Sequence, residues 1–261
     1  MAEPLGLENV EHTAQGGSHL PNPMHQFEIE RIIPLKIFGF DASFTNSALF
    51  MVIAATLITL FTLYAMRRRA LVPSRLQSVA EISYEFVSNM VRDNVGTDGM
   101  KYFPFVFTLF MFVLALNMLG MVPYSFTVTS HIIVTFALAA FIFLGVTLLG
   151  FWKHGVKFLK FFVPEGVPFV MLPLLVVIEV ISYLTRPLSL SVRLFANMMA
   201  GHTMLKVFAG FVIALGFLLG WAPLAFVVAL TGLEIGIALL QAYVFTVLTC
   251  LYLNDAIHLH H

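Results

Sequence analysis

The chain has 261 residues, of which 59% are hydrophobic and only 11% are charged, and its 14 Lys and Arg residues balance 14 Asp and Glu residues. Soluble domains carry about 25% charged residues, so most of this surface must face a medium other than water. The zero net charge argues against a polyanionic binding partner, and no basic, aromatic-rich pattern typical of nucleic-acid binding occurs in the sequence. The single cysteine, Cys250, excludes an internal disulfide. Composition therefore predicts a membrane protein that binds no nucleic acid.

The first 43 residues are polar and acidic, and the first uninterrupted apolar stretch follows at 44–66. This stretch has no charge and is long enough to cross roughly 30 Å of hydrocarbon as a helix. It ends at Arg67, Arg68 and Arg69, which the positive-inside bias assigns to the cytoplasm. We therefore expect 1–43 on the opposite, periplasmic side, and 44–261 as a single membrane domain.

Segment 74–95 differs from a membrane span because it combines apolar residues at helical spacing with five charged ones. This mixture predicts a helix that lies on the cytoplasmic interface. Its apolar positions are Leu76, Val79, Ile82, Phe86 and Met90.

Residues 102–152 are apolar for longer than one crossing needs, and the pattern breaks near Pro123 and Tyr124. They predict two spans, at about 102–122 and 130–152, joined by a short outer turn. The second span is followed by a basic cluster, as expected for a chain that has returned to the cytoplasm. The members of this cluster are Lys153, His154, Lys157 and Lys160.

The last third of the chain predicts two long helices, at 168–220 and 222–254, joined near Trp221 and Pro223. A continuous helix over the first of these would be about 80 Å long. It is therefore expected either to tilt strongly or to break near Arg186. The predicted fold is all-α and polytopic, with about five transmembrane helices and one interfacial helix, the last two spans forming a long, tilted antiparallel hairpin.

Arg193 needs an explanation, because an arginine at mid-membrane costs roughly 2.5 to 3.5 kcal/mol on insertion scales. Further polar residues follow one face of the same helix. The polar residues of this stripe are Glu179, Ser182, Arg186 and Asn197. The facing helix carries Glu234 and Gln241, seven residues apart, and an antiparallel hairpin can bring Gln241 level with Arg193.

In the predicted orientation His202 and Glu234 fall on the outer side of Arg193, and Glu179 falls alone on the inner side. Glu and His carry protons, whereas an arginine does not release its own. The spacing therefore indicates two partial hydrophilic paths, offset across a fixed positive charge. Two further candidates for the outer path are Asn117 and His131.

Structural roles are the alternatives for these residues. Arg193 would form a buried pair with Glu179 or Glu234 that only holds the hairpin together. Arg186 is expected to reach the cytoplasmic interface or to pair with Glu179. Polar side chains inside spans also join helices without carrying ions.

The segments LTRPLSLSVRLFANMMAGHTML, 184–205, and LEIGIALLQAYVFTVLTCLYLNDA, 233–256, resemble the two signature stretches of the a subunits of F-type ATP synthases. The resemblance implies that Arg193 is the essential arginine that faces a carboxylate of the rotating c-ring. It places Asn197, His202, Glu234 and Gln241 on channel-lining positions. On the same resemblance Glu179 lies toward the cytoplasmic outlet, with proton exit past Glu179 and Ser182. The order of His202 and Glu234 is similar to that of mitochondrial-type subunits.

The resemblance also implies partners: the c-ring, b-type peripheral stalk subunits and membrane lipid. The chain has no GxxxxGK[ST] phosphate loop, so it is expected to bind no nucleotide and to be no enzyme by itself. No cofactor or metal is expected, since the terminal trio of His258, His260 and His261 lacks a fourth ligand. A bacterial inner membrane is the favoured location. The alternatives are a self-contained ion channel or secondary transporter, and a purely structural membrane anchor.

Overall fold

The structure, a computed structural model, describes residues 31–33, 36–37, 40–41, 43–67, 73–122, 125–163 and 171–258. Among these residues, five helices are long and apolar enough to cross a membrane, which confirms the all-α polytopic fold. The α-helices are α1 (Asn46–Ala65), α2 (Arg75–Val95), α3 (Phe103–Gly120), α4 (Ile132–His154), α5 (Leu172–Leu219) and α6 (Trp221–Ile257). Short 3₁₀ helices cover Thr97–Tyr102, Val128–Ser130 and Gly155–Phe162.

Some sequence-based predictions concern positions outside the described residues. These are most of the acidic segment 1–43, Arg68, Arg69, Pro123, Tyr124, the start of the span at 168–220, His260 and His261.

Four short strands precede α1 and were not predicted. Strand β1 (Arg31–Ile33) pairs antiparallel with β4 (Phe44–Thr45), and β2 (Lys36–Ile37) pairs antiparallel with β3 (Phe40–Asp41). The strands are only two or three residues long, so alternation of apolar and polar residues was too brief to reveal them.

Helix α2 is amphipathic, and the face that packs on the bundle is not the stripe of large apolar residues seen in the sequence. Its N-terminus is capped by Ser74, whose hydroxyl accepts a hydrogen bond from the backbone N–H of Gln77. Small and branched residues, including Val87 and Val91, are buried toward the bundle. Of the predicted apolar stripe only Met90 is buried. Leu76, Val79, Ile82 and Phe86 are exposed, since the smaller side chains allow closer packing on the bundle and leave the larger ones outside.

The core lies between α3, α4, α5 and α6, with α2 packed along its side. Val113 of α3, Ile142 of α4, Leu194 of α5 and Phe245 of α6 are almost fully buried there. Large hydrophobic side chains are exposed on the outer faces of all five long helices, as expected for helices whose surroundings are lipid. The bundle therefore buries only one face of each helix.

Helix α5 continues through Pro187, so the predicted alternative of a break near Arg186 is wrong. The interruption lies at Gly216, with φ 65° and ψ −166°, a conformation that glycine adopts without a steric penalty. The stretch Leu172–Gly216 has 45 residues and would be about 67 Å long if straight. This exceeds the hydrocarbon thickness, so α5 must be strongly tilted or extend beyond it.

The turn between α5 and α6 precedes the predicted position. Trp221 already begins α6, and Pro223 lies in its first turn, where its missing N–H costs no hydrogen bond. Gly216 and Gly220 form the turn instead, with the Gly220 N–H donating to the Gly216 carbonyl oxygen over 2.9 Å.

Candidate functional site

Helices α5 and α6 lie antiparallel and bring four of the predicted polar residues together in two pairs. Asn197 Nδ2 donates a hydrogen bond to Gln241 Oε1 over 3.0 Å. One to two turns further along α5, His202 Nε2 lies 3.7 Å from Glu234 Oε1. The two pairs occur in opposite order along the two helices, so the residues that the sequence placed on separate stripes form one polar seam.

Glu234 and His202 form a buried acid–base pair. Glu234 is 3% exposed and His202 is 8% exposed. Within the described residues, neither carboxylate oxygen of Glu234 forms a hydrogen bond, and His202 Nε2 forms none either. Gly201 permits the close approach of the helices, since a Cβ there would lie 2.5 Å from Glu234 Oε1.

Asn117 of α3 reaches the same seam. Its side chain is fully buried, and its Nδ2 donates to the Ala238 carbonyl oxygen over 3.3 Å. Ala238 lies on α6 between Glu234 and Gln241. Asn117 Oδ1 and Gln241 Nε2 have no hydrogen-bond partner among the described residues, so α3 supplies a third polar wall to the site.

Arg193 lies on the exposed face of α5, one turn before Asn197. Within the described residues it has no hydrogen bond or ion pair, so the expected alternative of a pair with Glu179 or Glu234 does not form. A mainly apolar, open groove of about 460 Å³ continues along α5 beyond Arg193. The residues that line it are Phe195, Ala196, Met199, Ala200, Thr203, Met204 and Val207.

Glu179 and Ser182 are not part of this cluster. They precede Arg193 on α5 by about 21 Å and about 17 Å of helix length. Glu179 is half-buried and Ser182 is exposed. Neither side chain contacts the described polar residues of the seam, so these two lie apart, toward the other end of the hairpin.

Arg186 pairs with Asp255, not with Glu179 as the sequence suggested. Its Nη1 lies 2.6 Å from Asp255 Oδ2, and its guanidinium lies 5.2 Å from the ring centres of both Tyr183 and Tyr252. Sequence reasoning missed Asp255. The sequence contained a signal for Asp255, because it lies two intervals of seven residues after Gln241 on the same helix.

His131 lies immediately before α4, at the end of the bundle opposite the Arg186–Asp255 pair. Its ring stacks on Phe126 with centroids 4.9 Å apart, and its Nε2 is buried without a hydrogen-bond partner among the described residues. Burial lowers the pKa of His131 from its ordinary value of 6.5. His131 is therefore a neutral ring at pH 7.

Five long apolar helices that enclose a buried Glu–His pair, beside an exposed arginine, define an ion-translocating integral membrane protein. Among the described residues no group of three or more His, Cys, Asp or Glu could hold a metal ion. The sequence model of the family described as ATP synthase A chain matches residues 48–254. The chain therefore belongs to the ATP synthase A chain family.

Three relatives named ATP synthase subunit a illustrate the similarity. The chain is 63% identical to that of Pelagibacter ubique over 92% of this chain and 99% of the relative. It is 60% identical to that of Parvibaculum lavamentivorans over 94% and 97%, and 63% identical to that of a Chelativorans strain over 92% and 99%. The chain is thus a proton-channel subunit of an F-type ATP synthase and an integral inner-membrane protein. It is a non-catalytic part of that complex, and nothing favours the alternative of a self-contained transporter.

Proposed function

We propose that this chain provides two offset half-channels for protons and that Arg193 separates them while facing a carboxylate of the c-ring. The arrangement on the α5–α6 hairpin carries the proposal. Arg193 lies on the exposed face of α5 and has no ion pair or hydrogen bond with any described residue, whereas the pair Glu234 and His202, which would carry protons, is buried behind the same helix. A fixed charge thus stands between a partner surface and an internal acid–base pair.

The outer half-channel would run past Asn117, Glu234 and His202 to Asn197 and Gln241. Buried polar atoms are almost always hydrogen-bonded to protein or to ordered water. Five polar atoms along this seam are buried and without a partner among the described residues. They are Asn117 Oδ1, His202 Nε2, Glu234 Oε1, Glu234 Oε2 and Gln241 Nε2. Water that completes their hydrogen bonds would form a continuous proton path.

The inner half-channel would leave Arg193 along the N-terminal half of α5, past Ser182 and Glu179. Their separation from the Glu234–His202 pair supports two paths that do not meet. Water is excluded between the paths by the buried side chains Leu190 and Leu194 on the packed face of α5.

Arg193 would control the state of the ring carboxylate. An opposite charge about 4 to 6 Å away favours the ionised form of a carboxylate, so a protonated ring carboxyl releases its proton as it approaches Arg193. The guanidinium cannot release a proton itself, and its charge repels protons that approach from either side. A potential of about 100 mV supplies roughly 2.3 kcal/mol for each proton, which a leak between the two paths would waste.

The groove on α5 would receive the ring. Its small residues Ala196, Ala200 and Thr203 continue the face of Arg193, and small side chains let helices approach closely in a membrane. Family membership favours b-type peripheral stalk subunits as further partners. The nucleotide would be bound by other subunits of the complex and not by this chain.

The orientation follows from the basic clusters. We place the segment 1–43 on the periplasmic side and the C-terminus in the cytoplasm, with 44–261 as one membrane domain. Arg67 and the pair Lys153 and Lys157 lie at the ends of α1 and α4 that this orientation assigns to the cytoplasm.

Replacement of Arg193 in the assembled complex tests the proposal. Arg193→Ala should reduce proton-driven ATP synthesis in vesicles to background while the complex still assembles, and Arg193→Lys should also fail because an ammonium lacks the planar, permanently charged fork. Arg75→Ala, at an exposed position of α2, is the matched control and should couple normally. Normal ATP synthesis by Arg193→Ala would contradict the proposal, and ion flux through the purified chain alone would favour a self-contained channel.

A further inference from the structure

The surface where α4 ends combines exposed apolar side chains with positive charge. Trp152 is 90% exposed, Val156 is 81% exposed and Leu159 is 51% exposed. Lys153 and Lys157 alternate with them and are also exposed. We call these five residues the α4 rim. No role in the proton path involves any of them.

The α4 rim is held in place by a built turn. Gly155 ends α4 with φ 56°, a left-handed conformation that favours glycine, and the 3₁₀ helix Gly155–Phe162 follows. Phe158 is almost fully buried and folds back on α4, where a Cβ at Gly150 would lie 2.5 Å from its ring. Its ring centre is 4.9 Å from that of Phe151. Phe158 therefore fixes the direction in which the neighbouring rim residues project outward.

Among the described residues the positive charge of the rim has no ion-pair partner. Lys153 and Lys157 form no ion pair with any described residue. The sequence from 103 to 164 contains no Asp or Glu. His154, between the two lysines, points elsewhere, since its Nε2 lies 3.1 Å from the Ile257 carbonyl oxygen of α6. Within the described part of the chain, nothing therefore keeps the two ammonium groups from an external anion.

We propose that the α4 rim binds an anionic phospholipid, with Lys153 and Lys157 donating hydrogen bonds to its headgroup phosphate. Trp152, Val156 and Leu159 would lie among the glycerol backbone and upper acyl chains. The rim forms the C-terminal end of the stretch Ile132–Leu159, which is long and apolar enough to span the membrane, so it lies at headgroup depth, where tryptophan and lysine are both favoured. This position and the charge complementarity favour lipid over a protein partner.

Photo-crosslinking in the assembled ATP synthase tests the proposal. The photoreactive residue p-benzoylphenylalanine replaces Val156 in complexes reconstituted into vesicles of equal parts phosphatidylglycerol and phosphatidylcholine, and mass spectrometry identifies the adducts of this chain. The same residue in place of Ile133, which is exposed at the opposite end of α4 and has no neighbouring lysine, is the matched control.

The adducts at position 156 should be enriched in phosphatidylglycerol by at least about fivefold over the bulk ratio, since a single lysine near an anionic membrane surface already contributes about that factor. Enrichment should fall to the bulk ratio in the Lys153→Gln, Lys157→Gln variant and should weaken in high salt. Position 133 should report the bulk ratio throughout. A bulk ratio at position 156 with both lysines present, or adducts there only with another protein subunit, would overturn the proposal.

Discussion

Glu234 and His202 face each other across the α5–α6 hairpin, with Oε1 and Nε2 3.7 Å apart. Both side chains are buried, and one acidic and one basic group share the same small space. Their protonation states are therefore coupled, because the charge of one changes the proton affinity of the other. We propose that the pair acts as a unit that holds or passes on a proton.

Exchanging the two residues should preserve more function than either single replacement. His202→Glu alone places two carboxyl groups side by side, and Glu234→His alone places two imidazoles there, so each removes the complementary charge. The double variant restores an acid and a base at the same separation. In a double-mutant cycle of ATP-driven proton pumping, we expect a coupling of roughly 1 to 3 kcal/mol. Additive losses would show that the residues act independently.

Gly201 should be intolerant of a side chain. A Cβ at Gly201 would lie 2.5 Å from Glu234 Oε1 and 3.0 Å from its Cδ, so Gly201→Ala should displace the carboxyl group and slow proton pumping at least several-fold. Shortening the acid with Glu234→Asp in the same chain should recover part of the rate. Gly236→Ala is the matched control, because no atom lies within 4 Å of a Cβ there. Equal pumping by the two alanine variants would count against this placement of Glu234.

The Arg186–Asp255 pair should stabilise the far end of the hairpin. The side chains are 22% and 35% exposed. This exposure is intermediate between that of surface ion pairs, which contribute little to stability, and that of buried ion pairs, whose loss is costly. Asp255→Asn should therefore lower the free energy of unfolding by about 1 to 2 kcal/mol. Thermal unfolding in detergent measures the loss. Asp93→Asn, at an exposed position of α2, should leave stability unchanged, and an equal effect of both variants would refute a specific role for the pair.

His131 should make the protein less stable in acid. Burial lowers its pKa from 6.5, so the unfolded chain takes up a proton near pH 6.5 while the folded chain keeps the ring neutral to lower pH. The free energy of unfolding thus has its full value above about pH 6.5. At lower pH it falls, by at most about 1.4 kcal/mol for each pH unit. His131→Gln should flatten the fall in melting temperature between about pH 7.5 and about pH 5.5. An unchanged pH profile would show that His131 does not resist protonation.

Much of the site was predictable from residue spacing. A polar stripe on each of two antiparallel helices can meet only in reverse order, which predicted Glu234 and His202 on the same side of Arg193, and the structure brings these two together. Gln241 was expected level with Arg193, but it bonds Asn197, one turn further along α5. The five apolar stretches likewise predicted five long helices, because crossing a membrane requires a run of about 20 apolar residues.

Other features depend on packing that spacing alone does not encode. Arg186 was expected to reach the cytoplasmic interface or to pair with Glu179 on its own helix, but the neighbouring α6 presents Asp255 at hydrogen-bonding distance. The interruption of α5 occurs at Gly216 and not at Pro187, since the long helix accommodates a proline while glycine alone adopts the left-handed turn readily. The large apolar residues of α2 face outward while smaller residues such as Val87 and Val91 pack on the bundle, a division that helical spacing alone does not reveal.

We propose that the exposed face of α5 beside Arg193 meets the ring carboxylate, and disulfide crosslinking measures this contact directly. With Cys250 replaced by alanine, Ala196→Cys or Ala200→Cys is combined with a cysteine one turn from the ring carboxylate. Leu148→Cys, equally outward-facing but on α4, is the control. Crosslinks from the cysteines at positions 196 and 200 should form rapidly, stop ATP-driven rotation and be reversed by reduction. The cysteine at position 148 should form none. Crosslinking from 148 but not from 196 or 200 would contradict the proposal.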